Sequence, residues 1–184
     1  MALPTSGDFL GQAKGLYEPQ RKYNFSVELY LPSQRDAELI SLSVDSFSLP
    51  TESHNRIELD FGNVKRYVPG KVSYETAQMV CKDFVDAGTM RALTAWSQKT
   101  YNPVTDSVGL ARDCKTTGSL IMTATDGTHE RYAELIGVFI DSLKLADMSM
   151  RENDINRITV VLSIDKIIPR VTPAVSVSIP VPTA

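Results

Sequence analysis

The sequence predicts a mainly β fold, an antiparallel β-barrel or sandwich flanked by one α-helix. Three observations carry that prediction. Runs of alternating apolar and polar residues recur along the chain, and the turn signatures Gly62-Asn63 and Asp126-Gly127 each sit between extended segments. A single stretch carries a helical stripe. Folds of this kind leave strand edges that must be paired or covered.

In order, residues 23–31 read YNFSVELYL, with Tyr23, Phe25, Val27, Leu29 and Leu31 alternating against Asn24, Ser26, Glu28 and Tyr30, the pattern of a half-buried strand. A second alternating run over residues 39–47 is expected as a strand that stops at Leu49-Pro50, where proline removes a ladder donor. Gly62-Asn63 joins the arms of a hairpin over residues 56–67, with glycine at the first central position of a type II′ turn. Val68-Pro69-Gly70 reads as a turn that reverses the chain at Lys71. From Val72 the alternation favours a strand to about Lys82, with a helix starting at Thr76 as the alternative. Asp86 is placed to cap a helix over residues 87–98, and Met90, Leu93 and Trp96 form its stripe, with Trp96 read as core. Asn102-Pro103 ends it.

Residues 119–125 and 128–136 flank Asp126-Gly127 as a second hairpin. Gly137 then interrupts the extended pattern, as at a bulge or a close backbone approach, before residues 138–145. The β-branched run RITVVLSI over residues 157–164 is the final expected strand. After Arg170 no charge remains, and Pro173, Pro180 and Pro182 exclude a helix or an internal strand. This tail, residues 171–184, is either disordered or an arm that lies along a neighbouring subunit as an added strand. The chain therefore divides into one domain over residues 1–170, with residues 1–22 as an N-terminal arm, followed by the tail.

At 184 residues the chain is long enough to bury roughly 70% of its unfolded surface without staples. No apolar run approaches the roughly 20 residues that span a bilayer, and residues 1–25 lack the pattern of a secretory signal, so a cytoplasmic site of synthesis and no membrane partner are expected. Cys81 and Cys114 stand apart from each other and from the histidines, and are read as reduced and partly buried. The net charge of −3 and pI near 5.4 exclude a strongly attractive nucleic-acid surface.

Chemistry is not written in the chain. Its two histidines, His54 and His129, fall in polar loop-like stretches, and no nucleophile elbow, HExxH pair or phosphate loop is present. The carboxylate pairs Asp83 with Asp86 and Glu152 with Asp154 read as solvated charge. No catalytic residue, cofactor or metal ligand is assigned, and the Asn24-Phe25-Ser26 acceptor pattern is read as chance.

The order of elements and a series of short marks resemble the tail tube proteins of contractile-tailed bacteriophages, relatives in fold of the type VI secretion tube protein. The marks are Phe47-Ser48-Leu49-Pro50, Val68-Pro69-Gly70 with Tyr74, the helix ending at Trp96, and Leu135-Ile136-Gly137-Val138-Phe139. The closing series, Ser142-Leu143 and Asp147-Met148-Ser149 before Asn153-Asp154-Ile155 and residues 158–165, is the most specific. The family often has Trp-Pro where this chain has Phe139-Ile140, and the tail from Val171 runs past the usual ending, so a related baseplate or tube-end protein is the alternative.

The resemblance implies a tail-tube-like structural protein without enzymatic activity. Six copies form a ring whose sheets join into one inner barrel, and stacked rings conduct double-stranded DNA without binding it specifically. An acidic balance suits that role, because a basic bore would hold DNA with a Kd on the order of 10⁻⁴ to 10⁻⁶ M at each site. Implied partners are further copies of the chain and the sheath, baseplate and tail-terminator proteins, in a virion tail assembled in a bacterial cytoplasm. The segment over residues 51–67 is the candidate stacking element, through Glu52, Arg56, Glu58, Asp60, Lys65 and Arg66, together with the N-terminal segment to Lys22. The helix, through Asp86, Arg91, Gln98 and Lys99, is the candidate face towards a sheath. A monomeric ligand-binding β-barrel and a carboxylate hydrolase are the competing classes.

Overall fold

Two β-leaves share one bent strand, and that strand organises the molecule. The computed structural model describes residues 20–123, 130–145, 148, 150, 151 and 153–171. The first strand, β1 (Phe25–Leu29), buries Val27 and Leu29, as its alternation predicts. A helix, α1 (Gln34–Ser43), follows, where the sequence reading placed a strand over residues 39–47. Ser33 decides the outcome: its side chain accepts from the backbone N–H of Asp36, three residues on, and the turn of Ala37, Ile40 and Ser43 packs inward. The strand content of that run is confined to β2 (Val44–Ser48), which leaves α1 without a loop.

Next come β3 (Glu52–Phe61) and β4 (Val64–Tyr74), a hairpin longer than predicted, turning at Gly62-Asn63 with Gly62 at φ +60°. The predicted reversal at Val68-Pro69-Gly70 does not occur. The ladder instead steps from His54↔Val72 to Arg56↔Pro69, so β4 carries a bulge there. Gly70 sits where a Cβ would lie 2.5 Å from the carbonyl oxygen of Asn55, so only glycine lets the strands close at that step. Pro69 is tolerated because the ribbon has two strands, and each has a free edge.

After a break at Glu75-Thr76 the chain forms β5 (Ala77–Lys82), which settles the open choice between strand and helix in favour of strand. The long helix α2 (Gly88–Thr100) starts and ends within two residues of expectation. Ala87, at φ 54°, is its N-cap, and Asp86 acts from one residue earlier, its Oδ1 accepting from Gly88 N at 3.2 Å. The buried stripe is Thr89, Ala92, Leu93 and Trp96, whereas Met90, expected on it, is exposed. Trp96 is core, as read, and its Nε1 donates to Cys114 O at 3.1 Å, pinning the short helix α3 (Ala111–Cys114). Between these helices β6 (Tyr101–Asn102) and β7 (Ser107–Val108) make a small antiparallel pair.

The remaining strands are β8 (Thr116–Thr123), β9 (Glu130–Lys144), β10 (Arg157–Ser163) and β11 (Lys166–Val171). β8 and β9 pair as the second hairpin requires, and their Asp126-Gly127 turn lies outside the described residues. β11 lies beyond the last strand expected from the sequence, and its Pro169 is tolerated because the strand pairs on one side only, with β9. The predicted tail falls outside the described residues from position 172 onward, and the N-terminal arm up to position 19.

Strands follow the order β1-β8-β9-β10-β5-β2, with β11 also on β9. The first half of β9 pairs with β8 and β11, and residues 139–144 pair with β10. The two leaves are thus β1-β8-β9-β11 and β9-β10-β5-β2, and they meet at Gly137. There the β8 register skips from Val138 to Ile136, leaving Gly137 unopposed at φ +70°. Both readings offered for this residue hold, since it is a bulge and a close approach. Asp165, between β10 and β11, packs on it, donating its N–H to Ile136 O at 3.1 Å and holding Lys115 Nζ at 2.6 and 2.9 Å.

Between the leaves lies one apolar cluster including Val27, Met79, Leu93, Trp96, Leu135, Val160 and Leu162. α1 and α2 pack on each other, with α1 against β1 and α2 against β9. Cys81 and Cys114 are both free and buried, and burial pushes the Cys81 thiol up to about 11. Among the described residues no closed barrel forms, because β1 and β2, the two ends of the strand order, do not pair.

Candidate assembly surfaces

The β3–β4 hairpin is two-faced. In an antiparallel pair opposed residues share a face, so the register sorts every side chain. Arg56, Glu58 and Asp60, with Tyr67 and Lys65 across from the last two, form a charged face; Lys65 pairs with Glu58, and the Arg56 guanidinium lies 4.7 Å from the Tyr67 ring centre. Glu52 lies on the same side, 3.3 Å from His54. On the opposite face Ile57, Leu59 and Phe61 stand against Val68, Arg66 and Val64, and Arg66 covers Phe61 at 5.4 Å.

Every residue of β3 is exposed, Phe61 at 61% and Ile57 at 54%. The six sequence-predicted hairpin residues are all at the surface and share one element, with Arg66 on the apolar face. The apolar face itself was missed. Its signal was the alternation within IELDF, which a search for charged contacts passes over. A contiguous apolar ribbon face exposed in this way marks an interaction site or an aggregation hazard.

The second surface is the outward side of α2. Arg91 and Gln98 are exposed there, opposite the buried stripe, while Lys99 flanks the stripe and Asp86 precedes the helix, both also exposed. A third feature is the set of open edges: β1, β2 and β11 each pair on one side only.

At one end of the second leaf three adjacent strands carry an ionic ladder. Asp45 on β2 holds Lys82 on β5 at 3.1 Å and Arg157 on β10 at 3.2 Å, and Arg157 also holds Asp154 at 2.6 Å. Hydrogen bonding to Lys82 lowers the Asp45 carboxyl, and hydrogen bonding to Arg157 lowers Asp154, below the ordinary aspartate value. Because the folded state holds these groups more acidic than the unfolded chain does, their contribution is complete above about pH 4 and is lost as pH falls through the folded values. Asp45→Asn should therefore lose less Tm than the wild type between about pH 5 and about pH 3, measured by circular dichroism. An identical loss in both proteins would remove the ladder from the acid response.

Three of the four carboxylates considered as an acid and base make structural contacts. Asp86 caps α2, Asp154 is tied to Arg157, and Asp83 meets Asn156 at 3.3 Å. Glu152 and His129 lie outside the described residues, and His54 is a surface group on the hairpin. Among the described residues no cluster of His, Cys, Asp and Glu could hold a metal ion, and no helix is long and apolar enough to cross a membrane.

No family model and no curated protein matches the chain. Solved structures do. A chain of the PVC extracellular contractile injection system, sheath-tube complex in extended state, aligns with a TM-score of 0.64 and 18% identity over 93% of this chain and 100% of its own. The tube-terminating cap of the anti-feeding prophage aligns with a TM-score of 0.65 and 18% identity, covering 84% of this chain and 93% of that one. The PVC sheath/tube terminator gives a TM-score of 0.64 and 19% identity, covering 84% and 99%. These match the resemblance read from the sequence, and with them the chain carries the fold of the tube and tube-terminator proteins of contractile injection systems.

Proposed function

We propose that the chain is a non-catalytic structural subunit of the inner tube of a contractile tail. Copies join through their open strand edges into hexameric rings, and rings stack through the β3–β4 hairpin. The stacked tube conducts double-stranded DNA in a bacteriophage tail, or another cargo in a related injection system. The observation that carries this reading is the hairpin, a ribbon whose apolar side chains stay exposed among the described residues. The charged face of the same ribbon, through Glu52, Arg56, Glu58, Asp60 and Lys65, sets the register between rings, and the outward side of α2 faces a sheath. Sheath, baseplate and tail-terminator proteins are the expected partners, and a virion tail assembled in a bacterial cytoplasm the expected location.

A tube-end role is the second reading, since a tube-terminating cap aligns as well as a chain of a sheath-tube complex, with TM-scores of 0.65 and 0.64. Negative-stain electron microscopy of the concentrated protein separates the two, with long tubes expected for a shaft subunit and isolated rings for an end subunit. A monomer at every concentration, with neither rings nor tubes, would sink both readings and favour the ligand-binding barrel.

A further inference from the structure

We infer that the C-terminal segment of one copy, residues 172–184, enters the open seam between β1 and β2 of a neighbouring copy as an added strand. The inference rests on the assembly reading above. The seam is an open groove of about 730 Å³ whose apolar lining is Phe25, Val44, Phe47, Leu49, Leu120 and Met122. It is the mouth of the core: Leu120 belongs to the buried cluster, and Phe25, Val44 and Phe47 pack against it. One wall is β2 and the other is residues 20–24 with Phe25 at the start of β1, where the two strands splay apart, and both strands pair on one side only. Arg21, Lys22, Asp45 and Lys82 stand at its rim, so a segment that fills it must be extended, with one apolar face turned to the core and a polar face turned outward.

The tail meets each requirement. Val175, Val177 and Ile179 alternate with Ser176 and Ser178, which puts the apolar residues on one face of a strand. Pro173 and Pro180 bracket this stretch, so its length is close to the five residues of β1 and of β2. No charged residue follows Arg170.

Reach decides whose groove it enters. Val171, Arg131, Met122 and Phe25 lie in one row across β11, β9, β8 and β1. Three strand spacings therefore separate the end of β11 from β1, about 14 Å. A strand added outside β1 lies a fourth spacing away, about 19 Å, whereas from Val171 to Val175, where the alternation begins, an extended chain spans at most about 14 Å. The alternating stretch cannot reach its own seam, whereas a neighbour's is open to it. Strand donation then closes in the assembly the gap that a single chain leaves.

Disulfide trapping tests this. In the full chain, Ser46→Cys on the groove wall combined with Ser178→Cys in the tail should give, on mild oxidation of assembled material, a ladder of covalent multimers on a non-reducing gel. Cys81 and Cys114 are buried and stay out of the reaction. Adding Val177→Asp should lower the trapped fraction by about tenfold. Hydrogen exchange supplies the second readout: deleting residues 172–184 should deprotect β1 and β2, and deleting residues 1–18 should leave their protection unchanged. Rings or tubes without a ladder, a bridge formed only within single chains, or deprotection on the N-terminal deletion alone would overturn the inference and leave the tube reading standing. Absence of any assembly in the wild type would overturn both.

Discussion

Changing Ile57, Leu59 and Phe61 together to serine leaves the chain folded and abolishes tube growth. In the isolated subunit these side chains face water, with Leu59 at 40% exposure and Phe61 at 61%, so the folded state has little to lose. Each exposed substitution is worth at most about 0.5 kcal/mol, and the Tm should stay within a few degrees of the wild type. In a stack the same side chains would be buried. Covering the exposed part of each contributes roughly 1 kcal/mol, and the loss of three corresponds to about two orders of magnitude in each association constant. Sedimentation should show the critical concentration rising by at least that factor, and electron microscopy should show rings without tubes. Unchanged tubes would remove the hairpin from the stacking interface. A large fall in Tm would show instead that the ribbon packs on its own chain. Charge changes on the opposite face, such as Glu58→Lys, should act more weakly and depend on salt, because solvated ion pairs contribute little.

Gly137→Ala should be strongly destabilising. Its φ of +70° costs an L-residue about 1–2 kcal/mol. The added Cβ would also lie 2.1 Å from Asp165 Oδ2 and 2.9 Å from Asp165 Cβ, so the carboxylate must leave and release Lys115. A combined loss of about 3 kcal/mol or more lowers the Tm of a chain this size by about 6–12 °C. Asp165→Ala placed in the same chain should return part of that loss, since it removes the nearest atoms and leaves the backbone strain. Strict additivity of the two changes would mean that Asp165 does not pack on Gly137 as described. Because β9 changes partners at this residue, the Gly137→Ala chain should also assemble poorly even below its melting temperature.

Local chemistry made much of this fold readable. Gly62-Asn63 and Asp86 were legible because each acts through its own backbone or one a few residues away, and Gly137 because it breaks an alternating run, although its partners on β8 and at Asp165 are distant in the chain. Trp96 was legible because it shares a helical stripe with Leu93. The capping residues of α1, Ser33 with Asp36, were equally local, but the alternation of leucine and serine after them reads as a strand, and the two signals conflict over residues 39–43. Packing of Ile40 and Ser43 settled it for the helix.

The misread turn at Val68-Pro69-Gly70 had another cause. Turn residues also suit a bulge, and which one forms depends on Asn55, fifteen positions before Gly70 in the chain and in contact only across the ribbon. β11 lies past the last strand expected, and only the sheet order shows that Pro169 occupies an edge, where a strand tolerates it.

By itself the sequence determined that this protein is a mainly β scaffold with a hairpin turn at Gly62-Asn63, a helix from about Asp86 to past Trp96 and an acidic balance. Those properties reside in residue types and short spacings. Only the tertiary structure decided that the hairpin has an uncovered apolar face, that β9 belongs to two leaves, and that β1 and β2 leave a seam between them. Each of these depends on which strands lie side by side, a relation between residues distant in the chain that no local pattern encodes.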